Sequence, residues 1–345
     1  MADIELLQKI QGYDKPWCYQ YERKLQTLEE DKLFLGWDDD FIANIKLEDF
    51  EFSLVTSDEG KRHAIEFNKR YEWLKSVDGL FISHIFQARY KGVLGGIVIM
   101  AMPYAFSGIL GENTRDVERL IARGSSASWT PKNLASRMLS WCMRWMVKNT
   151  PYRVFFGYSD PSAKELGTIY QSLNFYYLGK SSGRKLMVVN PYNKSKLISD
   201  RQFRSRSFYK KYAKDLGIEW GKDWNKGDKI YWERIPDDVE QRLRDYSKEL
   251  YEKAEKIEVL PKGKYAYVLG ATPSETKQLR KKFLSINKVY DYPKERNLPD
   301  ESAPPSFTFP KVEISTSDDY YAKTCKDVIR MKDGTIVRQL SLFDL

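Results

Sequence analysis

The chain is short of several things that would assign it quickly. Its 345 residues include only three cysteines, Cys18, Cys142 and Cys325. They are too few and too far apart for a disulfide framework or a cysteine-rich zinc site. The two histidines, His63 and His84, form no ligand spacing, so a dedicated zinc centre is not expected. His84 sits inside a β-rich run and reads as a packed side chain. No apolar run approaches the ~18–20 residues of a membrane helix; the best, Gly95–Met102, is strand-length. The opening MADIELLQKI carries acids and lacks the basic-then-apolar order of a signal peptide. Gly-x-Ser-x-Gly, P-loop and dinucleotide-binding fingerprints are absent. What remains is 42% hydrophobic and 14% aromatic, enough to bury a core. The expectation is a globular cytoplasmic protein that does not enter a membrane.

Charge is the next signal. The chain carries +9, and the stretch from Arg184 to Lys214 alone carries +9, with ten basic residues against the single acid Asp200. Phe203, Phe208, Tyr209 and Tyr212 interleave with these cations. Cations suit phosphates and aromatic faces suit unstacked bases, so the pattern fits nucleic-acid contact. A solvated basic face with its aromatics in the core is the alternative.

Residues 1–48 read as a helical lead-in, broken at Lys15-Pro16. Phe50–Val55 reads as a strand, and Gly60–Lys75 as an amphipathic helix. Phe81–Tyr90 and Val93–Met102 form a hairpin across Lys91-Gly92. Val117–Ala122 is a further strand, followed by a loop from Arg123 to Lys132 and a helix that Asn133 would cap. Tyr152–Tyr158 is a strand, Ser162–Leu173 a helix, and Phe175–Gly179 with Lys185–Val189 two closing strands. The expected class is therefore α/β (α+β), a mixed central sheet flanked by helices. Its expected divisions are the lead-in, a core over 49–190, a basic extension over 191–297, and a linker and tail over 298–345.

In its order of strand, loop, helix, strand, helix and strand, the 49–190 block resembles the GNAT acyltransferase fold. That fold cradles the pyrophosphate of acetyl-CoA on backbone N–H groups at a helix N-terminus. The resemblance implies acetyl-CoA or a related acyl donor, held here by Arg123, Gly124, Asn133 and Arg137. A narrower resemblance rests on Glu118-Arg119-Leu120, Pro131-Lys-Asn133-Leu-Ala-Ser136-Arg137, Tyr158-Ser-Asp160-Pro161, and Gly167 through Gly179. It continues at Lys264–Gly270, Lys277–Lys282 and Tyr292-Pro-Lys294. In this order and spacing these blocks resemble the bacteriophage Mom family of DNA-modifying proteins.

The Mom resemblance implies transfer of a methylcarbamoyl or related acyl-type group to N6 of adenine in double-stranded DNA, which shields phage DNA from restriction. Arg119, Asn133, Ser136, Arg137, Tyr158, Asp160, Tyr170 and Gln171 inherit the family's polar motif positions. The chain departs from the pattern in its long lead-in, its Arg184–Lys214 segment and Ala163-Lys164-Glu165. Adenine N6 is a poor nucleophile until a proton leaves, so a carboxylate is needed. Asp160, at the C-terminal end of a strand, is expected as general base or N6 acceptor; Asp-Pro turn chemistry or helix capping is its structural alternative. Ser136, Tyr158 and Arg119 complete the expected catalytic group. Tyr170 and Gln171 would meet an extruded base, and Arg201, Arg204, Arg206, Lys210 and Lys211 the DNA backbone. Iron bound by carboxylates with one histidine stays open, as does a homodimer.

The last residues include Gln339-Leu340-Ser341-Leu342-Phe343, which resembles the pentapeptide that docks bacterial proteins on the β sliding clamp. Leu340, Leu342 and Phe343 would fill apolar pockets while Gln339 fixes register. Two other readings compete with a DNA-modifying enzyme. One is a catalytically silent DNA- and clamp-binding adaptor; the other is a GNAT acetyltransferase acting on protein or tRNA. Removal of Gln339–Leu345 is expected to abolish co-elution with purified sliding clamp while leaving activity on free DNA intact; retained co-elution would contradict the motif.

Overall fold

The run Val93–Ala101 forms a strand buried along its whole length, so both faces of its sheet are covered. In the computed structural model the described residues are 2–12, 18–74, 76, 77, 79–103, 108–180, 185–294, 328–330 and 336–338. Helices α1 (Ala2–Gln11), α2 (Tyr19–Leu35) and α3 (Asp39–Ala43) lead into β1 (Glu51–Leu54), α4 (Asp58–Tyr71), β2 (Ile82–Tyr90), β3 (Val93–Ala101), β4 (Glu118–Ser126), α5 (Leu134–Asn149), β5 (Val154–Ser159), α6 (Thr168–Ser172) and β6 (Tyr176–Lys180). A second unit follows, built from β7 (Lys185–Asn190), β8 (Asn193–Ile198), α7 (Arg206–Asp215), β9 (Asn225–Lys226), β10 (Lys229–Ile230), α8 (Asp237–Lys253) and β11 (Lys256–Val259). The chain then returns to the first unit with β12 (Gly263–Val268), α9 (Pro273–Ile286) and the hairpin β13 (Val328–Arg330) and β14 (Ile336–Arg338).

The first unit is a seven-stranded mixed sheet in the order β1-β2-β3-β4-β5-β12-β6, as the α/β expectation requires. Its local signals hold. Ser57 caps α4 by accepting from the Gly60 amide at 3.0 Å, with Asp58 and Glu59 in the first turn and Lys69 and Arg70 in the last, which suits the helix dipole. Lys91 and Gly92 both take positive φ, 46° and 80°, as a two-residue hairpin turn demands.

Three expectations need correction. Lys185–Val189 does not close the large sheet: it lies in β7, within a separate three-stranded sheet of order β11-β7-β8. The missing strand is β12, which enters antiparallel between β5 and β6. The stretch from Arg123 is not loop but strand as far as Ser126, bonded to β3. Asn133 precedes α5 in the left-handed region (φ 70°), and its side chain caps nothing; a short polar side chain tolerates that conformation. In the lead-in, Leu6, Leu7, Ile10 and Leu28 belong to the same core as the sheet. The compact units divide before β7 and after β11.

In the second unit Phe208, Tyr209 and Tyr212 pack with Leu243 into a core of their own, and Phe203 is 2% exposed. The Tyr212 hydroxyl donates to the Phe203 carbonyl at 3.0 Å. The aromatics between the cations are therefore core residues and do not stack on bases.

The lead-in is fastened to the sheet by a buried carboxylate. Asp31 accepts from Arg70 Nη2 at 2.8 Å, from the Tyr71 hydroxyl at 3.0 Å and from Ser128 Oγ at 2.5 Å. It thereby joins α2, α4 and the segment between β4 and α5. Asp31→Ala is expected to cost about 1–3 kcal/mol, because it removes the acceptor shared by two buried hydroxyls and leaves Arg70 with its 3.0 Å pair to Glu30. Urea unfolding checks this; a loss below about 0.5 kcal/mol would contradict it.

Candidate active site

Strands β4 and β5 pair in parallel at only three positions, Glu118↔Val154, Arg119↔Phe155 and Leu120↔Phe156. Beyond Leu120 and Phe156 they separate. β4 stays bonded to β3 and β5 to β12, so the edges that turn toward each other have no strand between them. A cavity of about 520 Å³ opens there. One wall is Ile121–Ser126 of β4 and another is Tyr158, Ser159 and Asp160 at the end of β5. Asn133 and the first turn of α5 close a third side, and Gln11, Cys18 and Lys24 of the lead-in a fourth.

Acids gather on the β5 side. Asp160 Oδ1 accepts from the Ser162 amide at 3.0 Å, and Oδ2 pairs with Lys262 Nζ at 2.8 Å. The turn role foreseen as its alternative is thus present, and so is a place in the cavity. Glu165 is held twice: Oε1 accepts from the Trp73 indole at 2.7 Å and Oε2 from the Asp160 amide at 3.1 Å. Burial, reinforced by the Asp160 charge, pushes its carboxyl up to about 7, even though those two donors favour the ionised form. Glu72 is 8% exposed, and its Oε2 has no partner among the described residues. Burial and the nearby Glu165 raise it well above the usual carboxylate range. Opposite, Lys24 is 3% exposed and donates to Gln11 Oε1 at 2.8 Å and Ser126 Oγ at 2.9 Å; burial pulls its ammonium down to about 7. Burial also raises the Cys18 thiol.

Tyr170 stacks on Tyr265 at 5.2 Å with 28° between the rings. It fits because residue 157 is glycine: a Cβ there would collide with the Tyr170 hydroxyl. Burial raises the Tyr170 phenol, and to a lesser extent that of Tyr158.

Of the residues singled out from sequence, the cavity gathers Asp160, Ser136, Tyr158, Arg123, Gly124, Asn133 and Tyr170. It does not gather Arg119, whose guanidinium lies 3.4 Å from the centre of the Tyr152 ring and donates to the Glu118 carbonyl at 2.6 Å. Gln171 points elsewhere, donating to the Leu166 carbonyl at 2.8 Å, and so shapes the loop behind Glu165. Arg137 is exposed on α5 and does not line the cavity. In the second unit Arg201, Arg204, Lys210 and Lys211 are exposed, with Arg204 paired to Asp200 at 3.2 Å and the half-buried Arg206 to Asp228 at 3.0 Å. Gln339, Leu340, Leu342 and Phe343, like the linker before them, lie outside the described residues.

Lys24, Glu72 and Trp73 were not anticipated, since they come from the lead-in and the end of α4, far from any motif. Glu165 carried a signal of a kind: it belongs to Ala163-Lys164-Glu165, one of the three places where the sequence departs from the family pattern.

For an acyl-CoA the residues fit. Ser125 Oγ is buried without a partner among the described residues, the Asn133 side chain does not cap α5, and Asn133 and Ser136 stand beside the first-turn amides of that helix. For iron they do not: among the described residues no three His, Cys, Asp or Glu side chains form a metal-binding group. Among those residues, too, no helix is long and apolar enough to cross a membrane.

Known proteins were then compared with the chain. Comparison with curated proteins gave no match. Among solved structures, a GNAT family acetyltransferase from Elizabethkingia anophelis with acetyl-CoA bound is 12% identical (TM-score 0.32), over 64% of this chain and 99% of that one. An N-acetyltransferase from Staphylococcus aureus Mu50 is 13% identical (TM-score 0.28), over 40% and 88%. The protein yncA from Salmonella typhimurium, with its cofactor acetyl-CoA, is 12% identical (TM-score 0.29), over 41% and 87%. The Mom protein family model matches residues 119–294, a span that takes in β4, α5, β5, the acidic loop and the returning β12 and α9. The chain belongs to the Mom protein family.

Proposed function

We propose that the protein is a Mom-type transferase that places an acyl-type group on N6 of adenine in DNA, forming the N6–carbonyl bond as the thioester C–S bond of an acyl-CoA breaks and CoA leaves as the thiol. The observation that carries this reading is the carboxylate pair at the end of β5: half-buried Glu165 accepts from the Asp160 amide at 3.1 Å, and both line the opening between β4 and β5, where burial raises the Glu165 carboxyl to about 7. An acid tuned to neutrality is what proton abstraction from a weakly basic exocyclic amine requires.

Each part of the cavity has a task. The uncapped first turn of α5, with Ser136 Oγ and Asn133, holds the donor's phosphates. The unpaired edge of β4, with Ser125 Oγ, accepts its extended amide-bearing arm as an added strand would be accepted. Bound there, an acyl-CoA supplies a carbonyl carbon activated as a thioester. Tyr158 and Tyr170 flank the purine. Asp160, fixed by Lys262, orients the N6 amine, and the Glu165 carboxylate takes the N6 proton. Trp73 holds that carboxylate in place. The exposed cations Arg201, Arg204, Lys210 and Lys211 meet DNA phosphates without reading sequence. The tail tethers the enzyme to replicating DNA through the sliding clamp in the bacterial cytoplasm, so that new DNA is shielded from restriction as it is made.

The pH profile tests the assignment. Glu165 works only as carboxylate, so the single-turnover rate on a duplex oligonucleotide should rise with pH through about 7. Glu165→Gln should lower the rate by roughly 10²–10⁴-fold and flatten that rise. Lys24 titrates in the same window, so Lys24→Met must keep the rise. A wild-type rate and profile in Glu165→Gln would overturn the role.

A further inference from the structure

A second opening, of about 460 Å³, lies on the first unit where β6, β12 and the segment after α9 meet. Its walls are aromatic: Phe175, Tyr176, Tyr177, Tyr267, Tyr290 and Tyr292. Only Tyr290 stands out of them, 46% exposed. Its backbone is fixed, with its amide donating to the Tyr177 carbonyl at 2.9 Å. Its ring lies over Gly179, whose φ is +80° and where a Cβ would come within 3.1 Å of that ring. Tyr292 is anchored through its hydroxyl to the Phe175 carbonyl at 2.6 Å. One face of Tyr290 is thus backed by protein while nearly half of the residue is open.

One cation, Arg280, lines this groove together with the acid Asp291, and Lys288 stands over its exposed tyrosine. Arg280 lies 5.9 Å from the centre of the Tyr267 ring, and its Nε is buried without a partner among the described residues. Lys288 Nζ lies 5.0 Å from the Tyr290 ring centre. From Lys277 to Lys294 the sequence holds six basic residues and one acid, Asp291, and Lys277, Lys281, Lys282, Lys288 and Lys294 are exposed. An aromatic face bordered by positive charge suits a stacked base with its phosphate. An acidic peptide would use the cations and leave the row of tyrosines without a role.

The groove is also close to the cavity. Tyr177 packs on Tyr265 at 4.9 Å, and Tyr265 stacks on Tyr170, which lines the cavity. One tyrosine separates the two openings.

We propose that this groove binds a nucleotide of the substrate strand other than the reacting adenine, with its base on Tyr290 and its phosphate on Arg280 and Lys288. This rests on the DNA reading above and adds to it a contact outside the reaction site. Holding a neighbouring nucleotide would keep the strand open while the target base occupies the cavity, and would make duplexes with an unpaired base the better ligands.

Fluorescence anisotropy with labelled single strands, and with duplexes carrying one unpaired base, tests this on the full chain. Tyr290→Ala should weaken binding by about tenfold, whereas Tyr290→Phe, which keeps the stacking face, should bind as wild type. Arg280→Gln should lower the slope of log affinity against log salt by about one. Thermal melting of each variant checks that it is folded. If the wild type binds no nucleic acid, the groove and the DNA reading fall together. If the wild type binds and folded Tyr290→Ala and Arg280→Gln match it in affinity and salt slope, the groove alone is overturned.

Discussion

Three residue pairs of parallel contact between β4 and β5, and no more, set up everything else in this molecule. A parallel pair that ran the full length of both strands would fill the space with backbone hydrogen bonds and leave no site. Because β4 is held outward by β3 and β5 by β12, the two strands are pulled apart from their far sides. The unpaired edges, with the α5 N-terminus above them, become the binding surface.

The lead-in closes one side of that opening. The Asp31 cluster ties α2 to α4 and to the segment before α5, which seats Lys24 and Cys18 against the cavity. The same enclosure raises Glu72 and Glu165 and lowers Lys24: loosening the lead-in would return Glu165 toward an ordinary carboxylate.

The sheet's first half was legible in the sequence because its signals are local: the Lys91-Gly92 turn, the continuous apolar run of β3 and the amphipathic spacing of α4 each act within a few residues. β12 was not, because it is split from its neighbour β6 by an entire inserted unit, and nothing in Lys185–Val189 says that it pairs with β11 instead. Within the cavity, Asp160, Tyr158, Ser136 and Tyr170 were found through motif blocks, whereas Arg119 and Gln171 sat in those blocks for reasons of packing. Glu72, Trp73 and Lys24 meet the site only through the tertiary fold. The basic segment misled in one respect, since its cations are exposed but Phe203, Phe208 and Tyr212 close the core of the second unit.

The central claim is that the opening between the two strands removes a proton from adenine N6 and modifies that nitrogen. Mass spectrometry of nucleosides from bacteria expressing the protein tests it most directly. The account predicts a mass-shifted deoxyadenosine with the wild type and its loss with a soluble, folded Asp160→Asn variant. Unmodified deoxyadenosine in cells holding soluble wild-type protein would contradict it.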